Sequence, residues 1–239
     1  MGCYRLVIRR THPPLSTRYT ADDGHDVPLG HHTRPSWRGR IHLFALCCFV
    51  PAVAALTIAT DDRVSTASTA VYGVGLCSMF GSSTVYHRWV HGLRVRAIWR
   101  RIDHAAIYAA IAGSATPLAL ATMDGTDGPL LVAALWATAI PGVVLKLGRW
   151  HHGDSLGTAL YFVLGIECAV MLPALHRADG VGVLELCIAS AAIYVVGAIL
   201  LGLERPVLVP GVFGYHEVWH AFTVAAAAAH FGAVWQVCT

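Results

Sequence analysis

From residue 41 onward the sequence is cut into seven apolar runs, each close to the length that crosses a bilayer. They cover about 41–60, 64–87, 103–123, 129–147, 156–174, 181–201 and 215–237. A membrane helix needs roughly 20 apolar residues, because a rise of about 1.5 Å per residue must span a hydrocarbon core of about 30 Å. The runs meet that length one by one, and the connectors between them are too short to fold into a soluble domain. The expected fold is therefore all-α: an integral membrane bundle of seven transmembrane helices, residues 41–239. Gly73, Gly75, Pro117, Pro141 and Gly165 inside the runs suit helices packed in lipid.

Composition supports this and excludes other classes. Only 13% of the 239 residues are charged and 56% are hydrophobic, against about 25% and 45–50% in soluble domains. Too little charge is present to clothe a water-soluble surface. That excludes an ordinary cytosolic enzyme, a disordered protein and a nucleic-acid-binding domain. Sixteen of the 17 basic residues are Arg, which together with the Ala, Gly and Val content reads as a GC-rich bacterial genome. The seven Cys are odd in number, irregular in spacing and mostly inside apolar runs. They are expected to be small membrane-core residues, with no disulfide framework.

Residues 1–40 differ from the rest. Seven Arg, three Asp and His25, His31 and His32 lie there, and no long apolar run does. This segment reads as a disordered basic cytosolic tail with no signal peptide. Its His cluster reads as a solvated tail rather than a metal site.

The basic residues set the topology. Fifteen of the 17 fall in the tail and in connectors 88–102, 148–155 (with Lys146 at its edge) and 202–214, all on one side of a seven-span chain; Arg63 and Arg177 fall on the other. The positive-inside rule then places the N-terminus in the cytoplasm and the C-terminus outside, in the plasma membrane of a bacterial cell. Trp89 and Trp99 within the basic stretch read as an interfacial anchor on anionic lipid.

Ionisable groups in a span are costly, so each one asks for a partner or a function. His87 ends the second span, Asp103 opens the third, and His216 and His220 open the seventh. With the topology above, these four groups share one depth at the cytoplasmic ends. His216 and His220 are four apart and share a helix face, as Ser83 and His87 do. Two imidazoles from one helix and a third from another form a set that Zn²⁺ accepts with a position left open. Asp103 would bind the ion directly or hold a water beside it, and Ser83, one turn deeper than His87, would bond that water or a substrate oxygen.

The remaining polar groups receive plainer readings. His104 is expected to bond a neighbour and His230, too deep for the same ion, to make a buried polar contact. Glu167 and Glu185 would pair or line a polar cavity, and His42 stands near the start of the first span. His216-Glu217-Val218-Trp219-His220 is formally HExxH. No acidic residue follows it to complete a protease site, and Glu217 points about 100° away from His216. Gly73, Gly75 and Gly81 read as helix packing rather than a phosphate loop.

Three blocks carry a family resemblance. Ser82-Ser83-Thr84-Val85-Tyr86-His87, then Arg101-Ile102-Asp103-His104-Ala105-Ala106-Ile107-Tyr108 with Ala112-Gly113-Ser114-Ala115-Thr116-Pro117, then His216-Glu217-Val218-Trp219-His220, resemble the bacterial hemolysin III family. That family belongs with the progestin and adipoQ receptors and more distantly with the alkaline ceramidases. The resemblance covers about 41–239; Ser114-Ala115 departs from the usual Thr-Tyr before Thr-Pro. It implies a seven-helix bundle with a cytoplasmic N-terminus, His87, His216 and His220 as zinc ligands, Asp103 holding the zinc's water, and Ser83 as the Ser of the SxxxH block.

The leading functional expectation is a zinc-dependent intramembrane hydrolase of lipid amide or ester bonds, with Asp103 and Ser83 catalytic and membrane lipids as partners. The alternatives are a pore-forming, cytolytic membrane protein and a receptor-like membrane-homeostasis protein, each with structural zinc.

Overall fold

The computed structural model describes residues 18–20, 26–28, 35–148, 153–178 and 182–239. Two three-residue strands, β1 (Arg18–Thr20) and β2 (Asp26–Pro28), pair antiparallel. All the longer elements are helices: α1 (Arg40–Ala59), α2 (Arg63–Thr84), α3 (Leu93–Thr122), α4 (Asp127–Leu147), α5 (Gly153–Ala169), α6 (Leu172–Arg177), α7 (Val183–Gly202) and α8 (Tyr215–Cys238).

Six helical stretches are long and apolar enough to cross a membrane: Arg40–Ala59, Arg94–Thr122, Asp127–Leu147, Leu156–Arg177, Val183–Gly202 and Tyr215–Cys238. Their outer faces carry Phe44, Ile58, Ile140, Phe162 and Ile166 in the open. Large apolar side chains presented on all sides are costly in water and are at home in lipid. The protein is a multi-pass membrane protein. α2 has the length to span, at 22 residues, but its Ser, Thr and Gly content keeps it below the apolar level of the others.

Small residues let these helices approach. A Cβ built on Gly75 would stand 2.6 Å from the Ala109 carbonyl oxygen, and one on Gly73 would stand 2.1 Å from Val53 Cγ1. α2 thus packs against the backbone of α3 at Gly75 and receives the Val53 side chain of α1 at Gly73, the close contacts that small residues permit in membranes. The interior between them is filled by Ala106, Ala110, Ala112, Ala115 and Ala119 with Tyr72, Phe80 and Tyr108. Tyr108 Oη donates to the Gly157 carbonyl at 2.7 Å and Tyr161 Oη to the His104 carbonyl at 2.8 Å, tying α5 to α3. Gly73 and Gly75 therefore act in helix packing. The six described cysteines other than Cys3 are free thiols; Cys3 lies outside the described residues.

Three boundaries differ from the sequence expectation. The helix expected to open at 103 begins at Leu93, so Arg94, Arg96, Arg100 and Arg101 are helical and Asp103 lies ten residues in. Hydropathy marks where a helix turns apolar, whereas arginine is itself a good helix former. The fifth run breaks at Val170–Met171, and a short α6 follows with Pro173 in its first turn. Of the segment read as a tail, Pro35–Gly39 packs on the bundle: Ser36 N–H donates to the Gly211 carbonyl at 3.1 Å, Trp37 N–H to the Val212 carbonyl at 3.3 Å, and the Trp37 ring lies 6.3 Å from that of Phe213. His25, His31 and His32 lie outside the described residues.

Candidate metal centre

α2 does not stop at Thr84. It runs into a π-helical turn, Val85–Trp89, before the chain turns at Val90–Gly92 into α3. π-helical turns of this kind recur at functional sites, because the wider turn re-aims a side chain. Here it carries His87. The chain also passes close on the other side: Gly39, with φ +75°, leaves only 2.9 Å between a built Cβ and His87 Cβ. Glycine answers both demands there, a left-handed backbone and no side chain.

α8 brings His216 and His220 to the same place from its first two turns. One ligand atom from each of His87, His216 and His220 lies within 4.8 Å of the other two. The ring centroids form a nearly even triangle, at 4.9 Å for His87 and His216, 5.0 Å for His87 and His220, and 4.6 Å for His216 and His220. His87 Nε2 and His216 Nε2 face each other at 3.3 Å. Two nitrogens on a tetrahedral ion with bonds of about 2.0–2.1 Å stand about 3.3 Å apart. The His87–His216 pair therefore has the spacing of two ligands on such an ion, and three imidazoles would leave its fourth position open. His87 and His220 are buried and His216 partly so.

Ser83 lies four residues before His87 near the end of α2, and Asp103 of α3 lies near Ser83. Among the described residues the convergent ligand group holds the three imidazoles and not Asp103. His104 donates from Nδ1 to the Arg100 carbonyl at 2.8 Å, bonding its own helix as expected.

Three residues belong to this neighbourhood that sequence reasoning did not place in it. Glu217 is 1% exposed. Its Oε2 accepts from the Gly214 N–H at 2.8 Å, capping α8, and its Oε1 pairs with Arg38 Nε. Both oxygens are engaged in structure, so the Glu of the HExxH pattern is a helix cap and an ion-pair partner. Arg38 comes from the segment read as a tail, and the one signal for it was its place two residues before the first helix. His42 of α1 stacks on His220 with ring centroids 3.9 Å apart and planes 7° apart; its signal was an ionisable group at a span end.

The other flagged groups lie apart from the cluster. Glu167 Oε1 accepts from the Thr138 hydroxyl at 2.7 Å, while Glu185 sits in the first turn of α7, where the helix dipole favours a carboxylate. The expected Glu167–Glu185 pair does not form, since the other oxygen of Glu167 has no hydrogen-bond partner. His230 lies with its ring 5.8 Å from Tyr72.

Fold and site together define a class: a polytopic helical membrane protein with a cluster of imidazoles drawn from its second and last long helices. The sequence profile of the haemolysin-III-related family matches residues 31–231. The chain is similar to a hemolysin-3 homolog of Bacillus subtilis, 28% identical over 200 residues that cover 82% of this chain and 91% of that protein. It is also similar to hemolysin-3 of Bacillus cereus, 32% identical over 162 residues covering 67% and 70%. The human monocyte to macrophage differentiation factor is 25% identical over 200 residues, 82% and 80% of the two chains. The chain belongs to the haemolysin-III-related family.

Proposed function

We propose that the protein binds one Zn²⁺ through His87, His216 and His220 and hydrolyses an amide or ester bond of a membrane lipid. The observation that carries this reading is the convergence of three imidazoles from two helices, with one ligand atom of each within 4.8 Å of the others. The proposal includes seven membrane passes, with α2 as the span shielded by its neighbours, and a cytoplasmic N-terminus, supported by the one-sided Arg distribution.

Bound zinc supplies Lewis acidity and acidifies a coordinated water. The chain's own residues do the rest. Asp103 accepts the proton of the attacking water and returns it to the leaving group. The Ser83 hydroxyl is the donor for a carbonyl oxygen as charge builds on it. Glu217 takes no part in proton transfer, being committed to Gly214 and Arg38. α2 and α8 bring these groups to the bundle end where lipid headgroups meet the hydrocarbon.

The test has two stages. Elemental analysis of detergent-purified protein should give one zinc per chain, lost on the double substitution of His216 and His220 by Ala. Turnover of an amide- and ester-lipid panel should then depend on Asp103. Zinc-free protein with intact histidines overturns the metal site; zinc-loaded protein without turnover, and indifferent to Asp103→Ala, overturns the hydrolase. A second reading, membrane lysis, rests on the name of the Bacillus cereus relative. It requires vesicle leakage that persists when the three histidines are replaced.

A further inference from the structure

A fourth imidazole, that of His42, lies against the cluster and is not one of its ligand group. His42 is buried in the first turn of α1, face to face with His220 with ring centroids 3.9 Å apart, and makes a T-shaped contact with Phe80 with centroids 5.1 Å apart. Its Nε2 lies 2.9 Å from Thr223 Oγ1. Thr223 spends its single hydroxyl proton on the His220 carbonyl oxygen, 2.8 Å away. Thr223 can then only accept from His42, so Nε2 of His42 carries the proton and donates it. Nδ1 is left as a buried lone pair with no hydrogen-bond partner.

That arrangement is informative because it costs something. A phenyl ring would stack on His220 equally well and leave no buried nitrogen unsatisfied, which is a cost imidazole bears here. What imidazole adds over phenyl is the Nε2–H bond to Thr223. Thr223 in turn holds the backbone carbonyl of His220 itself. His42 therefore reaches His220 twice, directly through the face of its ring and indirectly through Thr223, which bonds the His220 carbonyl within α8; α1, which carries His42, contributes no member of the three-imidazole group.

We infer that His42 is a positioning residue for the proposed metal site, fixing the ring plane of His220 through stacking and through the His42–Thr223–His220 hydrogen-bond chain. The inference rests on the zinc reading above. Partners that orient a ligating histidine are commonly worth about 10–100-fold in metal affinity.

The experiment loads the purified full-length protein with Zn²⁺ and, separately, Co²⁺. Affinity is read by chelator competition and geometry by the visible absorption of the cobalt form. His42→Ala should weaken Zn²⁺ binding about 10–100-fold and alter the cobalt spectrum. His42→Phe and Thr223→Val both remove the His42–Thr223 hydrogen bond while keeping bulk, and Thr223→Val also removes the bond to the His220 carbonyl, so each should give a loss smaller than that of His42→Ala together with an altered spectrum. Wild-type affinity and spectrum in His42→Phe and Thr223→Val, together with a folded His42→Ala that behaves likewise, overturn the inference while leaving the zinc site standing. If His42→Ala does not fold, the two bulk-preserving variants decide alone. Wild-type protein that takes up neither metal overturns the zinc reading, and this inference falls with it.

Discussion

The bundle holds two sets of buried polar groups, and they are built differently. At one end, His87, His216, His220 and His42 lie ring against ring, with Thr223 bonded to His42 and to the His220 carbonyl. About ten residues further along α8, His230 faces Tyr72, and both His230 Nδ1 and Tyr72 Oη lack a hydrogen-bond partner. Glu167, bonded to Thr138 through one oxygen only, is equally isolated. An ionisable residue within a membrane span is therefore a poor marker of a site by itself. Convergence marks it: several helices aim groups of one donor type at one point, and hydrogen bonds around them hold the aim.

The largest test of that contrast compares histidines on the same helix. Replacing His216 or His220 with Ala should abolish stoichiometric zinc, whereas His230→Ala should leave one zinc per chain by elemental analysis. Equal loss in all three would erase the distinction between the two regions.

Next in size is the link between Arg38 and Glu217. Removing one member of a largely buried pair leaves the other charge uncompensated, generally a loss of about 3–5 kcal/mol; the side chains here are 17% and 1% exposed. Glu217→Ala should lower the melting temperature of detergent-solubilised protein markedly, with Glu217→Gln, which can still cap Gly214, milder. Near-wild-type melting for Glu217→Ala would show that the segment ending at Gly39 adds little to the ligand end.

Tyr72→Phe should do the least of the core changes. It deletes a buried hydroxyl that has no partner, so stability should stay within about 1 kcal/mol of wild type or rise, with zinc content unchanged. A large loss in thermal unfolding would mean that the deep region is as organised as the ligand end.

The smallest effect lies outside both regions. Asp62 caps α2, accepting from Val64 N–H at 2.7 Å and Ser65 N–H at 3.1 Å. Its carboxyl is held below the ordinary range by the Ser65 hydroxyl and these N–H groups. A lowered folded value means its contribution is whole above the pH where free aspartate ionises and is lost as acidification passes the lowered one. Asp62→Asn caps without titrating and should flatten the acid limb of a melting-temperature profile, leaving metal affinity untouched.

Much of this was legible in the sequence, for definite reasons. Apolar length reports a membrane helix directly, and α1, α4, α7 and α8 fall within two residues of the expected limits. His87, His216 and His220 were legible because a membrane fixes depth: residues at the ends of antiparallel spans share a level before any contact is known. Contacts that cross between elements were not. Nothing local to His42 says that it stacks on a ring 178 positions away in the chain. Arg38 resembled every other arginine of a basic segment until Glu217 appeared opposite it. The π-helical turn at 85–89 was hidden too, since apolar periodicity does not separate a wider final turn from an α-helical one.

The ligand end draws on the first, second and last long helices of the chain, and that order has a consequence for synthesis. His42 and His87 leave the ribosome early, while His216 and His220 arrive only with the final helix. For most of translation the early half of the cluster has no counterpart, and buried groups such as Thr69 and Tyr72 on the polar face of α2 wait for neighbours that are still unmade. Arrival of α8 closes the bundle, completes the imidazole triangle and gives Arg38 its carboxylate in one event. The site thus doubles as a mark of finished assembly: a chain that stops short of α8 retains most of its membrane helices and none of the convergence.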